Sequence, residues 1–151
     1  MSEYMAAGRG AGGASETVAC LWNPHGSLAF RVFWVSFVYA TVPAAVVSWG
    51  LQRATTRGTP AATLTPDLDS HNGRRAGPPS GALLDLGDYS TNATLDASVL
   101  ARCMTPIPRS TGHDWFFAQP IVVPGGTGLA LNQITANAMT NVDVTFGWME
   151  G

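Results

Sequence analysis

Two short segments of the chain combine residue types that bind metal ions or activate a nucleophile. In the first, Asp67, Asp69 and His71 alternate, and oxygen ligands beside an imidazole are a set that holds Ca²⁺ or a transition-metal ion. The segment lacks the glycine and the closing glutamate of an EF-hand loop. We therefore interpret the two aspartates as residues that cap turns in a solvated loop, and we predict no metal site.

The second segment is His113-Asp114, which directly precedes Trp115. A His/Asp pair serves in a catalytic triad, but no serine stands in a nucleophile-elbow context, and neighbouring residues of a strand point to opposite faces. The glycine-rich segment 124–128 lacks the Gly-Lys-Ser/Thr of a phosphate-binding loop, which indicates a tight turn between strands. The sequence thus predicts neither an enzyme nor a bound cofactor.

Composition excludes further classes of function. The chain of 151 residues has 8 Lys+Arg, all of them arginine, against 10 Asp+Glu, for a net charge of −2. This balance gives no basic field for nucleic acid. Charged residues at 12% and hydrophobic residues at 46% exclude a disordered chain and favour a protein buried in an assembly. Arg74-Arg75 is either solvated or paired with carboxylates of a neighbouring subunit.

The elements that position these residues are predicted to be strands. Strand-forming residues dominate the apolar segments, and no helical pattern of about 12 or more residues occurs. Residues 141–148 alternate apolar and polar side chains with a period of two, and with residues 128–135 they are expected to form a closing hairpin. Roughly seven to nine strands favour an all-β fold, a two-sheet β-sandwich with jelly-roll-like topology.

Three ranges define the predicted domain organisation. The Gly-rich residues 1–16 are typical of a flexible or extended N-terminal arm. A single sandwich domain is expected over residues 17–151. Within it, the polar residues 63–80 contain many turn formers, which indicates a long surface loop that makes contacts.

The most apolar segment, residues 28–49, has the length of a membrane helix. Arg31, Pro43 and a predominance of strand-forming side chains argue against that alternative and favour two strands. No membrane partner is therefore expected. Cys20 and Cys103 are interpreted as buried free thiols, although a single bridge between them stays open at this point.

Several segments together resemble small virion proteins of tailed bacteriophages. The resemblance covers residues 31–148 and rests on RVFWVSF, GLQRATTRGTP, LTPDLDSHN, PIVVPGGTGLAL and a last alternating strand that ends in Trp-Met-Glu. It implies a non-enzymatic β-sandwich protein of the capsid or tail, arranged around a symmetry axis. Such proteins often decorate or cement the head by clamping neighbouring major capsid subunits, commonly as trimers with an extended terminal arm. No functional residue is carried over, since such proteins share no site motif.

We therefore expect a virion structural protein at the capsid surface, a decoration or cement protein. Its expected partners are the major capsid protein and copies of itself in a homotrimer. The alternative is a carbohydrate-binding or receptor-adhesion module of a tail or cell-surface protein, which also uses exposed aromatic residues. The residues predicted to contact partners are Tyr4, Met5, Arg9, Asp67, Asp69, His71, Arg74, Arg75, Trp115, Phe116 and Phe117.

Overall fold

A computed structural model describes residues 2–13, 16–66, 81–105, 112–135 and 140–151. All helical or strand structure in these ranges is β-strand, arranged as two antiparallel sheets that share one hydrophobic core. The all-β sandwich predicted from the sequence is confirmed. No helix with the length and apolarity to cross a membrane occurs in the described ranges.

Ten strands lie in the described residues: Ser2–Gly12 (β1), Thr17–Asn23 (β2), Phe30–Tyr39 (β3), Val47–Thr56 (β4), Ala62–Leu64 (β5), Leu83–Leu86 (β6), Thr94–Thr105 (β7), His113–Val123 (β8), Thr127–Gln133 (β9) and Thr140–Glu150 (β10). Sheet I has the strand order β1-β10-β3-β8, and sheet II has the order β5-β6-β2-β9-β4-β7. The strands predicted within residues 28–49 are β3 and the start of β4, which belong to different sheets.

The pairing pattern is that of a jelly roll. The first strand pairs with the last, β1 with β10, and the pattern continues inward through β2 with β9, β3 with β8 and β4 with β7. The chain is thus a long antiparallel hairpin rolled so that successive pairs fall alternately in sheet I and sheet II. Double-sheet jelly rolls have eight such strands in two Greek keys. The small β5–β6 hairpin is an insertion at the tip of the roll.

The predicted closing hairpin is wrong. β9 pairs with β2 and β4 in sheet II, whereas β10 pairs with β1 and β3 in sheet I. Both segments are strands, as their patterns predict, but the rolled topology sends consecutive strands to opposite sheets. Hydrophobic alternation identifies a strand and its buried face, and it does not identify the partner strand.

The segment predicted to be an N-terminal arm lies in the sandwich. Ser2–Gly12 is extended, but it pairs with β10 over its whole length as the edge strand of sheet I. Its glycines allow sheet II to approach closely: a Cβ on Gly10 would lie 2.3 Å from the Val18 carbonyl oxygen, and one on Gly8 would lie 2.5 Å from Cδ1 of Leu86. These glycines therefore reflect close packing of backbone rather than a flexible tether.

The core lies between the inner faces of the sheets and is rich in aromatic rings. Trp49 and Phe37, from opposite sheets, have ring centroids 4.8 Å apart. The indole Nε1–H of Trp49 donates to the Tyr39 hydroxyl at 2.7 Å, and that hydroxyl also shares a hydrogen bond with Thr105. This buried network joins β3 of sheet I to β4 and β7 of sheet II.

Candidate interaction surface on sheet I

The outer face of sheet I carries an apolar strip that crosses every strand of the sheet. The pairing register places one residue of each strand side by side, and we call this set the apolar row: Met5, Gly147, Trp34 and Phe116. Phe33 lies against the same row, since a Cβ on Gly147 would lie 3.1 Å from the Phe33 ring. A contiguous apolar strip on an outer sheet face is unusual for an isolated soluble domain.

Phe33 and Trp34 share the outer face because β3 contains a β-bulge between them. Gly147 pairs with Trp34, but the next residue of β10, Trp148, pairs with Val32, so Phe33 is the extra residue. The residues on either side of the pair are buried, whereas Phe33 and Trp34 themselves are both partly exposed. β-bulges re-aim side chains in this way and are common beside functional sites.

Trp34 and Phe116 form the most prominent part of the row. Their rings stack with centroids 5.7 Å apart and planes 9° apart. Phe116 is 73% exposed, the highest fraction among the large hydrophobic residues described. The indole Nε1–H of Trp34 is buried and has no hydrogen-bond acceptor among the described residues. Stacked rings of this kind give a partner a flat, rigid apolar platform.

One of the two edges of sheet I, the edge formed by β8, is irregular beside this platform. Val32 pairs with Ile121 and Trp34 pairs with Phe116, so residues 117–120 have no partner in the register. Pro120 lies in this stretch, where a residue without an N–H is tolerated. Such an edge is a poor template for another strand.

Charged residues flank the apolar row on both sides. Arg9 lies directly across from Asp143, and its Nε and Nη2 donate to the carboxylate at 2.7 and 3.0 Å. The hydrogen bonds from Arg9 lower the pKa of Asp143, and they raise the pKa of Arg9 itself. The register on the other side of the row aligns Glu3, Met149, Arg31 and Val122.

The predicted contact residues divide between this face and the core. Met5, Arg9 and Phe116 lie on the outer face of sheet I. Tyr4, only 3% exposed, is a correction to the prediction, because it packs on Trp148 in the core with ring centroids 5.8 Å apart. Two other predicted contact residues, in β8, also face the core: Trp115 is 8% exposed, and Phe117 packs partly buried against the core. Asp67, Asp69, His71, Arg74 and Arg75 lie outside the described residues.

The His113-Asp114 pair does not converge on a reactive centre. His113 contacts Trp115 edge to face, with ring centroids 4.7 Å apart, while Asp114 pairs with Ser36 in the register of the sheet. Within the described ranges no group of three or more His, Cys, Asp and Glu side chains lies together. Residues 124–128 contain the predicted tight turn: the Thr127 N–H donates to the Pro124 carbonyl at 3.2 Å, and Gly126 has a φ of 73°.

A buried ion pair on sheet II was not predicted from the sequence. Asp85 is fully buried, and Arg57 donates to both of its carboxylate oxygens at 2.6 and 2.7 Å. Arg57 and Asp85 also share hydrogen bonds with the Thr63 hydroxyl. These contacts fix the β5–β6 hairpin to β4, so Thr63 and Leu64, predicted as the start of the long loop, belong to a short strand instead. The pair is structural, since its oxygens are all engaged within the chain.

The two cysteines are free thiols on opposite faces of sheet II. Cys20 of β2 packs with a small cluster on the outer face, and Cys103 of β7 packs against the main core. β9 and β4 separate these strands, about 14 Å at ordinary strand spacing, which is too far for a disulfide. Burial raises the pKa of the Cys103 thiol to about 12, and it raises the pKa of Cys20 further.

Comparison with models of protein families, with curated proteins and with solved structures finds no match to this chain. The assignment of the candidate surface therefore rests on the geometry of this chain alone. Sequence analysis missed Phe33 and Trp34 as partly exposed residues of this surface. The signal was present in RVFWVSF, where two bulky residues in succession interrupt the alternation of a strand.

Proposed function

We propose that this chain is a structural protein of a virus particle, a capsid decoration or cement protein that meets a neighbouring subunit through the outer face of sheet I. The observation that carries the proposal is the apolar row, in which the Trp34–Phe116 stack ends in a Phe116 ring that is 73% exposed. Large exposed apolar patches mark interaction sites, and aromatic side chains dominate the energy of such sites.

Two further features support the proposal. Jelly rolls recur in viral capsid domains, but the same topology occurs in lectins and cupins. The fold therefore does not identify the function, which has to be inferred from the surface residues. Only 12% of the residues are charged, and lysine is absent. A charge-poor chain suits a permanently assembled subunit, since interface cores are depleted in lysine, glutamate and aspartate.

The proposal is tested on virus particles purified by density gradient from the source of the sequence. We expect an antibody against the chain to label the heads at regular spacing in electron micrographs. Disruption of the gene should leave heads that rupture at a lower temperature. Phe116→Glu should abolish incorporation, while the matched change Met104→Glu, at a 69% exposed residue of sheet II, should leave it intact. A chain absent from particles contradicts the proposal.

One observation favours carbohydrate binding as a second candidate. The Trp34–Phe116 platform lies near Ser36 and Asp114, two residues along each strand, and sugar sites combine a ring with a few polar groups. Titration with mono- and oligosaccharides, followed by tryptophan fluorescence, distinguishes the two. Saturable quenching that Phe116→Ala removes would favour the binding module over the particle subunit.

A further inference from the structure

We infer that the outer face of sheet I pairs with the same face of a second copy of this chain, about a twofold axis that runs along the strands between β10 and β3. The inference rests on the proposed function in one respect, because it takes this face to be a subunit interface. The neighbouring subunit on this face is then a second copy of the same chain. Most closed oligomers are built on such self-complementary contacts.

Shape complementarity follows from the register of the sheet. A twofold axis in this position lays β1 of one copy over β8 of the other, and β10 over β3. Along the apolar row, Met5 then meets Phe116 of the second copy, and Gly147 meets Trp34 of the second copy. Because the Phe33 ring of the same chain covers the buried Gly147, Trp34 of the second copy packs against that ring. Aligned packing of two sheets interdigitates side chains in the same manner.

The charges on the face are also self-complementary. Glu3 of one copy lies over Val122 of the other, beside its Arg31, and Arg9 of one copy lies next to Asp114 of the other. Between these rows, Thr145 meets Ser36. No register position brings two charges of the same sign directly together. A face that avoids like-charge contacts with itself is suited to association with itself.

The area of the face is sufficient for a modest interface. Strand spacing gives a width of about 19 Å, and the rows from Glu3 to Arg9 give a length of about 20 Å. Two such faces bury roughly 800 Å² as flat projections and more as real side-chain surface, near the ~1,000 Å² lower end of specific interfaces. We therefore expect a weak, reversible dimer.

The experiment measures association of the intact chain by sedimentation velocity over a range of concentrations, with circular dichroism to verify folding. Phe116→Glu is expected to weaken the dimer at least about tenfold, because it places a charge against the apolar row of the partner. Met104→Glu, the same kind of change on sheet II, should leave association unaltered. A dimer that resists F116E but dissociates in M104E overturns the inference.

A charge exchange tests the axis itself. Glu3→Arg and Arg31→Glu should each weaken self-association, because each puts like charges beside one another across the interface. An equimolar mixture of the two variants should dimerise as the natural chain does. In one half of the mixed dimer the two introduced side chains meet with opposite charges, and in the other half the natural Glu3 meets the natural Arg31.

Three outcomes would each refute the pairing: a mixture no tighter than either variant alone, a trimer that depends on Phe116, or a chain that stays monomeric over the whole concentration range measured. A monomer that still labels heads refutes the pairing alone. A dimer absent from particles refutes the proposed function alone.

Discussion

The outer faces of the two sheets are built differently. On sheet II, the chain covers part of its own outer face: Cys20, Ala54 and Ala130 lie beneath Ala93 in a second small cluster in which all four residues are nearly or fully buried. On sheet I, the corresponding face presents large rings, and Phe116 remains 73% exposed. On the covered face the four buried residues are small, which lets a neighbouring segment come close to the backbone, and the larger Trp22 and Leu95 pack partly buried against them.

The outer face of sheet II is thus a closed face, partly covered by the chain itself, whereas the outer face of sheet I is an open face. The segment around Ala93 is held by backbone hydrogen bonds between Thr59 and Thr91 and between Thr59 and Ser90, and the Arg57–Asp85 ion pair fixes the end of β4 to the β5–β6 hairpin. No comparable ion pair fixes a covering segment to sheet I in the described residues. Its ion pair, Arg9–Asp143, lies within the sheet, with side chains 64% and 43% exposed. The closed face should therefore respond to mutation through folding, and the open face through association.

The largest effect on folding is expected for Arg57→Met. The change leaves Asp85 as a buried carboxylate with only Thr63 to bind it, and breaking a buried pair in this way costs about 3–5 kcal/mol. Urea denaturation should show the loss. Asp85→Asn is the control and should cost less, because the side chain of Arg57 is already 36% exposed and can turn into water. Equal stability of R57M and the natural chain would show that the covered face is not held by this pair.

A smaller loss is expected for Gly10→Val in β1. Its side chain would meet the Val18 backbone, and overpacking of this kind typically costs about 1–3 kcal/mol. Ala7→Val is the matched control, because Ala7 lies on the exposed side of the same strand. Protection of β1 amides from hydrogen exchange measures the effect strand by strand. If G10V keeps both its stability and its protection, β1 does not pack on sheet II as described.

These residues show how far the sequence can predict the fold. Alternation in residues 141–148 predicts a strand correctly, and the number and spacing of strands predict the two-sheet sandwich but not the strand order. The glycines of β1 do not distinguish an arm from a strand, because glycine occurs both in flexible segments and where two backbones pack closely. Arg57 and Asp85 are far apart along the chain, so no local pattern links them.

The candidate site shows the same limit. The sequence predicts Phe116 as a contact residue and does not select Phe33 or Trp34, because an aromatic segment does not reveal which rings the strand turns outward. The bulge at Phe33 decides this, and a bulge appears in the sequence only as two bulky residues out of phase. Strand partners and bulges are tertiary properties, set by what packs across the sheet.

A pH-dependent effect on the covered face is smaller still. Burial, with a contribution from nearby Asp85, raises the pKa of Cys20. The unfolded thiol ionises above about pH 8.5, whereas the folded thiol stays protonated, so its contribution to stability is complete below that pH and falls as the pH rises. We expect Cys20 to account for about 1 kcal/mol of the stability lost by pH 9.5 in urea denaturation, and Cys103, whose pKa burial raises to about 12, to add a similar loss, so that Cys20→Ala should lose about half as much as the natural chain. Tyr89 acts with the same sign, but only above about pH 10. An unchanged slope in C20A would mean that water reaches this face.

The smallest effect is expected on the open face. Arg9→Gln removes the partner of Asp143, whose pKa should then rise towards its ordinary value, as an NMR titration of the carboxylate would show. Because the pair lowers the folded pKa, its contribution to stability is present above the ordinary range of an aspartate and lost as the pH falls through the lowered pKa. In the monomer both side chains are solvated, so the urea midpoint at pH 7 should not change measurably. At concentrations where the chain pairs, the same variant should destabilise it detectably, because the second copy excludes water from the ion pair. A midpoint that is equally insensitive at low and high concentration would place Arg9 and Asp143 outside any interface and confine the contact to the apolar row.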